Sequence, residues 1–250
     1  MARLWHCKLY RHYSATIGQS VRRYGSVDCT QIIVDIGLPA GACTASKRNM
    51  SEKNHLYLVD GSSYIFRAYH RLPPLTDPEG TPVGAVYGYT TMLWKLADDL
   101  DQAEGPTHMA VILDKDSKSF RNDIYPEYKA NRPPAPDDLV PQFPLIRDAT
   151  RAFSLPCIEQ SGLEADDLIA SYARAAQREG WDVTIVSSDK DLMQLVGEED
   201  AGKGPARVDM LDTMKGQRIY LEEVHEKFGV TPDLVGDVLA LMGDSVDNVP

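Results

Sequence analysis

Three short apolar runs mark the chain from residue 55 onward: Leu56-Tyr-Leu-Val59, Met109-Ala-Val-Ile-Leu113 and Val183-Thr-Ile-Val186. Each ends at an Asp or a Ser-Ser-Asp, the pattern of buried strands in a largely parallel sheet. Residues 84–103, 137–153 and 163–179 predict helices; in the last, Ala165, Leu168, Ile169, Tyr172, Ala173 and Ala176 share one stripe. Residues 221–228 and 232–242 predict two more, joined by Gly229-Val-Thr231, with Thr231 placed to cap and Pro232 at the first helical position. Residues 197–216 are polar and Gly-rich, predicting a loop with one weak strand near 208–211. The alternation predicts an α/β class: a central, mostly parallel sheet with helices on both faces over residues 50–216, then a helical region over 217–250.

Composition narrows this. With 250 residues, 43% of them apolar, the chain can bury a sizeable core without disulfides or structural metal. The longest charge-free stretch, residues 80–94, contains Pro82, Gly84 and Gly88 and falls short of the roughly 20 apolar residues of a membrane span. Cys7, Cys29, Cys43 and Cys157 form no Cys-x-x-Cys pair, so a reducing compartment is the default. Charge is uneven: residues 1–49 carry a net +5, and residues 50–250, with 19 basic and 35 acidic side chains, a net −16. An acidic body argues against a nucleic-acid partner unless many of the carboxylates bind cations.

Up to Val27 there is no acid, while Arg3, Lys8, Arg11, Arg22 and Arg23 recur. Residues 1–49 are read as a disordered extension or a misassigned start, Met50-Ser-Glu-Lys-Asn54 being the natural beginning. An organellar transit peptide over residues 1–27 is the alternative, against an expected bacterial cytoplasmic setting.

The acids fall where strands end. Asp60, Asp114 and the pair Asp189/Asp191 follow the three runs, and ligands of open α/β sheets bind at that edge. The i, i+2 spacing of Asp189 and Asp191 in extended chain would point both to one face. Glu164, Asp166 and Asp167 open a predicted helix. One acid there merely complements the helix dipole, but three in four residues repel and call for protonation or counter-cations. Oxygen-only clusters suit Mg²⁺ or Mn²⁺ rather than zinc. Asp244 and Asp247 follow a helix, where a Gly-Asp turn is by itself only a terminator. A basic, aromatic segment contains Ser117-Lys-Ser-Phe-Arg121 and Tyr125-Pro-Glu-Tyr-Lys-Ala-Asn-Arg132. If helical, it places Tyr125, Lys129 and Arg132 on one face, suited to a phosphodiester and an unpaired base, or to plain solvation.

Taken in order, Val59-Asp-Gly61, Leu113-Asp114, Phe120-Arg121, Tyr128-Lys129, Arg132-Pro-Pro134, Gly162-Leu-Glu-Ala-Asp-Asp167, Ser188-Asp-Lys-Asp-Leu192 and Gly243-Asp-Ser-Val-Asp-Asn248 resemble the 5′ nuclease domain of bacterial DNA polymerase I, within the flap-endonuclease-like superfamily. The resemblance covers residues 55–250. It implies a PIN-like, flap-nuclease-like fold with two Mg²⁺ or Mn²⁺ ions: one on Asp60, Asp114, Glu164 and Asp166 with Asp167 close by or bridging, the other on Asp189, Asp191, Asp244 and Asp247. It further implies that Lys129 and Arg121 contact the scissile phosphate, that Tyr125 or Tyr128 stacks on a base, and that Arg132 adds to DNA binding. The implied substrate is DNA with a free 5′ end, flapped or nicked, or an RNA primer on DNA; no membrane partner is implied. In the family a Gly-rich helix-hairpin-helix, often with a K⁺ site, and a polymerase domain follow the position of Pro250, so both are expected to lie outside this sequence.

Rival readings are a PIN-like RNase, which normally uses fewer acids, and an inactive metal-binding DNA-binding fragment. A phosphatase with an Asp nucleophile would need a second Asp two residues after Asp60, where Ser62 stands. Trp94, Trp181 and Cys157 are expected in or near the core, and His70, His108 and His225 have no partners in sequence for a metal role.

Overall fold

The computed structural model describes residues 53–101 and 106–250; the expectations for residues 1–49 and for the end of the helix over 84–103 lie outside them. One sheet is built from β1 (His55–Asp60), β2 (His108–Ile112), β3 (Cys157–Ile158), β4 (Asp182–Val186) and β6 (Pro205–Asp212), parallel in the order β3-β2-β1-β4-β6. Beyond β6, β5 (Gly197–Asp200) pairs antiparallel with its first half and β7 (Gln217–Ile219) with its second.

Period-2 alternation divides each strand between two apolar layers. Leu56, Leu58, Ala110, Ile112, Val183 and Ile185 pack with α5 (Ala165–Arg178), α6 (Leu221–Phe228) and α7 (Pro232–Met242). Tyr57, Val59, Met109, Val111 and Leu113 face the other way, onto α1 (Gly61–Arg71), α2 (Gly84–Asp101) and α4 (Gln142–Ala152). Val224 of α6 and Val235 and Leu239 of α7 belong to the first layer, so the last helices share the sheet's core.

The register decides where the chemistry falls. Asp60 lies opposite Ile112, and Val59 opposite Val186, so Asp114 and the Ser187–Asp189 segment leave the sheet at the edge that holds Asp60. Strand-to-helix turns there are tight. A Cβ on Gly61 would sit 2.6 Å from Leu113 Cδ2 and 2.7 Å from Val111 Cγ1, so α1 can begin against β2 only with glycine at its first position.

Several expectations change. α6 and α7 match the predicted ranges, and α5 starts two residues later than predicted. The predicted helix over 137–153 begins at Gln142, after turns over 137–141. Gln142 Oε1 then accepts from Ala85 N (2.8 Å) and Val86 N (3.2 Å), capping α2 from another helix. The strand expected near 208–211 is present within β6, but it is longer and forms a hairpin with β5 where loop was expected; the charged, exposed Glu198, Glu199 and Asp200 disguise that edge strand. Thr231 occupies the N-cap of α7, but its side chain makes no capping hydrogen bond. Trp94 is 66% exposed, not core; its ring lies 6.2 Å from that of Phe153.

Gly88 lies inside α2, where alanine normally stabilises by up to about 1 kcal/mol. Here an added Cβ would meet Ala68 Cβ and Leu72 Cδ1, each at 2.8 Å. Gly88→Ala is therefore expected to destabilise by about 1–3 kcal/mol, the usual cost of overpacking. Urea unfolding that showed the variant equal to or above wild type would contradict this close helix contact.

Candidate metal centre and its basic rim

Each acid at the sheet edge is placed by local structure. Asp60 ends β1 and caps α1: its Oδ1 accepts from Ser63 N (3.0 Å) and its Oδ2 from Ser187 Oγ (2.8 Å), leaving the residue 6% exposed. Asp114 accepts from Ala165 N (2.7 Å), meeting the first amide of α5. Glu164 is the N-cap of α5, its backbone N donating to Asp167 Oδ2 (3.0 Å) while its side chain turns to Ser119 and Lys129. Asp189 Oδ1 accepts from Asp191 N (2.9 Å), and Asp191 opens a 3₁₀ helix over Asp191–Leu195. This pair therefore shares a turn rather than the extended chain expected. Asp244 Oδ1 accepts from Val246 N (2.8 Å), fixing the turn that presents Asp247.

Electrostatics sort these acids into two groups that meet at Asp189. Burial pushes Asp60 up to about 6, against its hydrogen bonds from Ser63 and Ser187, and the charges of Asp189 and Asp114 add to the rise. Burial also holds Asp166 well above its ordinary value, with Asp189, Asp60, Glu164 and Asp114 adding to it. Asp191 is raised to about 6 by burial and by Asp189, opposed by Lys190 and reinforced by Asp244 and Asp247. Glu164 goes the other way: burial disfavours its charge, but Arg121 and Lys129 outweigh that and hold it below its usual range.

Among the described residues, no group of three or more His, Cys, Asp or Glu side chains stands in an arrangement that could hold a metal ion without side-chain movement. The donor set nevertheless fits hard divalent cations. It is all oxygen, its members repel one another, and Asp191 Oδ1 is buried with no hydrogen-bond partner. Cations would relieve both the repulsion and the unpartnered oxygen.

The basic segment lies along the rim as consecutive turns over 126–131, with Lys129 in the left-handed region (φ 55), so the expected helical stripe of Tyr125, Lys129 and Arg132 does not form. The segment is instead docked on the 244–249 turn: Lys129 N donates to Asp247 O (2.9 Å), Asn131 Nδ2 to Ser245 O (3.0 Å) and Asn248 Nδ2 to Glu127 O (2.8 Å). Lys129 Nζ lies 2.9 Å from Glu164 Oε2 and 3.9 Å from Asp247 Oδ2, while Arg132 pairs with Asp247. Tyr128 is 8% exposed, its hydroxyl 3.2 Å from Glu164 and 3.3 Å from Asp247, so its ring is not a free stacking face; Tyr125 is only half-buried. Arg121, expected on a phosphate, is 5% exposed and makes a two-armed pair with Asp167 (2.8 and 2.7 Å). Asp167 is thus engaged by a guanidinium.

The sequence reading missed the supporting hydroxyls: Ser187 on Asp60, Ser62 on Asp114 N (3.0 Å) and Ser119 on Glu164 Oε1 (2.8 Å). For Ser119 a signal existed, the Ser-x-x-Asn capping box of α3 (Phe120–Ile124).

A parallel sheet flanked by helices, with carboxylates gathered at its carboxyl edge, defines the class of open α/β domains that bind ligands at their strand ends. The chain belongs to the family of 5′-3′ exonuclease N-terminal, resolvase-like domains, whose model matches residues 55–229. It is 56% identical over 205 residues to a DNA polymerase I of Rhizobium leguminosarum, covering 80% of this chain and 19% of that protein. It is 41% identical over 195 residues to a 5′-3′ exonuclease of Aquifex aeolicus, covering 78% and 63%. The chain thus spans about a fifth of the DNA polymerase I relatives, such as that of Pseudomonas aeruginosa (20%), and under two thirds of the exonuclease. In fold it resembles T5 5′-exonuclease with bound divalent metal ions (zinc), at 24% identity and TM-score 0.60, covering 79% of this chain and 69% of that one. A second similar structure is a pseudo-enzyme-product complex of the bacteriophage T5 flap endonuclease with DNA and metal ions, at 22% identity and TM-score 0.58, covering 78% and 68%.

Because Asp60 is raised in the folded state, the stability it contributes is present below its ordinary 3.8 and is lost as pH climbs from there to about 6. Above that, its ionised form costs on the order of 3 kcal/mol. Asp60→Asn keeps an acceptor for Ser63 N and removes the charge. In EDTA at pH 7.5 it is expected to unfold at higher urea than wild type, by about 1–3 kcal/mol, with the gap closing near pH 4. A variant less stable than wild type at pH 7.5 would show that the carboxylate is not under this repulsion.

Proposed function

We propose that this domain is a structure-selective 5′ nuclease that hydrolyses phosphodiester bonds in DNA with a free 5′ end. The observation that carries the reading is the pair of acid groups meeting at Asp189, with Lys129 lying between Glu164 of one and Asp247 of the other. Asp60, Asp114, Glu164 and Asp166 would hold one divalent ion, and Asp189, Asp191, Asp244 and Asp247 a second. Two such ions, if bound, would supply an activated water and charge stabilisation for the attacking and leaving oxygens.

The chain's own groups do the rest. Lys129 and Arg132 bring positive charge to the rim, where a phosphate entering from solvent would exchange carboxylate partners for its own oxygens. Tyr125 retains surface on which an unpaired base could stack. Ser187, Ser119 and the first amide of α5 orient the carboxylates of Asp60, Glu164 and Asp114. We further infer that residues 217–250 begin the surface that holds the duplex, and that flapped or nicked DNA is the substrate. The physiological context inferred is a longer protein of the DNA polymerase I type, with Mg²⁺ or Mn²⁺ as the working ion.

The test is hydrolysis of a labelled 5′-flap DNA with Mg²⁺, with Mn²⁺ and with EDTA, alongside single-stranded RNA. Ion-dependent cutting near the flap junction is expected; cutting of the RNA alone would favour the rival PIN-like RNase. Asp189→Asn removes a carboxylate of the second group whose charge also acts on Asp60 and Asp166 of the first, and its loss of rate should exceed the roughly 10–100-fold that follows from losing a ligand's supporting partner. Wild-type turnover by that variant would remove Asp189 from the site. Lys129→Ala should slow hydrolysis by about 10²–10³-fold, as loss of a transition-state donor does, with ion affinity unchanged. A calorimetric titration showing weakened ion binding would place Lys129 in the ion site instead.

A further inference from the structure

Arg121 and Asp167 form a buried, two-armed ion pair whose side chains are 7% and 11% exposed. A buried pair of this kind contributes little net stability compared with apolar residues of the same size, so its presence beside the acid cluster needs another reason. Its connections supply one. Asp167 Oδ2, which accepts from Arg121 Nη1, also accepts from Glu164 N (3.0 Å), so the guanidinium is one atom removed from the backbone that presents Glu164 and Asp166. On the other side Arg121 belongs to α3, a helix of five residues whose N-cap, Ser119, donates to Glu164 Oε1 (2.8 Å). Asn122, the next residue of α3, donates from Nδ2 to Tyr128 O (2.9 Å), and Tyr125 N bonds back to Arg121 O (2.8 Å). The pair therefore ties the start of α5, which bears candidate ion ligands, to the segment that bears Lys129.

We propose that Arg121 and Asp167 are positioning residues, neither touching substrate nor holding an ion, and that their two-armed pair sets the separation between the carboxylates of Glu164 and Asp166 and the ammonium of Lys129. The inference rests on the functional reading above. A guanidinium is required because it presents two parallel N–H donors to one carboxylate and fixes its plane, which a lysine ammonium cannot do. With lysine at 121 the charge survives, but Asp167 can rotate away from Glu164 N, and the first turn of α5 loses its register against the rim.

The experiment uses the whole 250-residue chain and measures Mn²⁺ affinity by calorimetry, unfolding in EDTA, and kcat and KM on 5′-flap DNA at saturating Mn²⁺. For Arg121→Lys the expected result is Mn²⁺ affinity lowered about 10-fold or more, the usual effect of removing a ligand's supporting partner, with kcat reduced and KM for DNA nearly unchanged. Asp167→Asn, which keeps one acceptor for Glu164 N, should show a smaller loss of the same kind. A double variant, Arg121→Met with Asp167→Leu, addresses folding: it should restore stability lost in the single variants yet remain impaired in ion affinity and kcat. Return of wild-type affinity together with stability would mean that the pair is only structural and would overturn the proposal. So would wild-type affinity in Arg121→Lys, or an effect on KM alone, which would put Arg121 on the DNA. If wild type itself binds no Mn²⁺, the functional reading fails, and the inference with it.

Discussion

Mutual repulsion among carboxylates is the constraint around which this domain is organised. A parallel sheet directs Asp60, Asp114 and Asp189 to one edge, and the first turn of α5 adds Glu164 and Asp166. Burial and crowding raise Asp60, Asp166 and Asp191 toward their neutral forms. An arrangement so unfavourable to itself persists only because the surrounding core over-determines it: strands buried on both faces, and helices that start directly at their ends.

Three kinds of group offset the repulsion, and each lies at a different depth. Hydroxyls and amides of Ser63, Ser187 and Ser119 sit closest and fix carboxylate orientation. Lys129 and Arg132 come from the rim and reach one acid of each group. Arg121 lies deepest, in a two-armed pair with Asp167. The gradation separates partly exposed basic residues at the rim from one that cannot leave without exposing a buried charge. It is also compatible with a chain of acidic body belonging to a family of 5′-3′ exonuclease domains: under the proposed reading, the site's negative charge would attract cations, and those cations would meet a phosphate backbone.

The docking of the basic segment on the 244–249 turn joins the two ends of the site. Lys129, Tyr128 and Arg132 all contact Asp247, and Asn131 and Asn248 lock the backbones together. Lys129 adopts φ 55 and Asn248 φ 58, so both segments of this contact turn sharply where they meet. A short span between two rigid supports, α3 and α7, therefore holds groups drawn from positions far apart in the chain.

Much of this was legible in the amino-acid order because it depends on local rules. The strands announce themselves as apolar runs, α5 by its stripe, α6 and α7 by their turns and Pro232, and the acids of both groups by their place at strand and helix ends. Period and position along the chain suffice for such features, since side-chain direction follows backbone period. What needed the tertiary structure were choices among partners. Sequence places Arg121 and Lys129 in one basic segment, yet one is buried on Asp167 and the other stands between Glu164 and Asp247, because α3 turns inward and the chain then bends outward at Lys129. Tyr125 and Tyr128 are alike in sequence, but only Tyr128 is taken into the acid cluster. The hairpin of β5 and β6 is hidden by exposed acids, and Trp94 falls on the outer side of α2. Partner choice depends on contacts remote in sequence, and no local pattern encodes the distance between a guanidinium and the carboxylate that will take it.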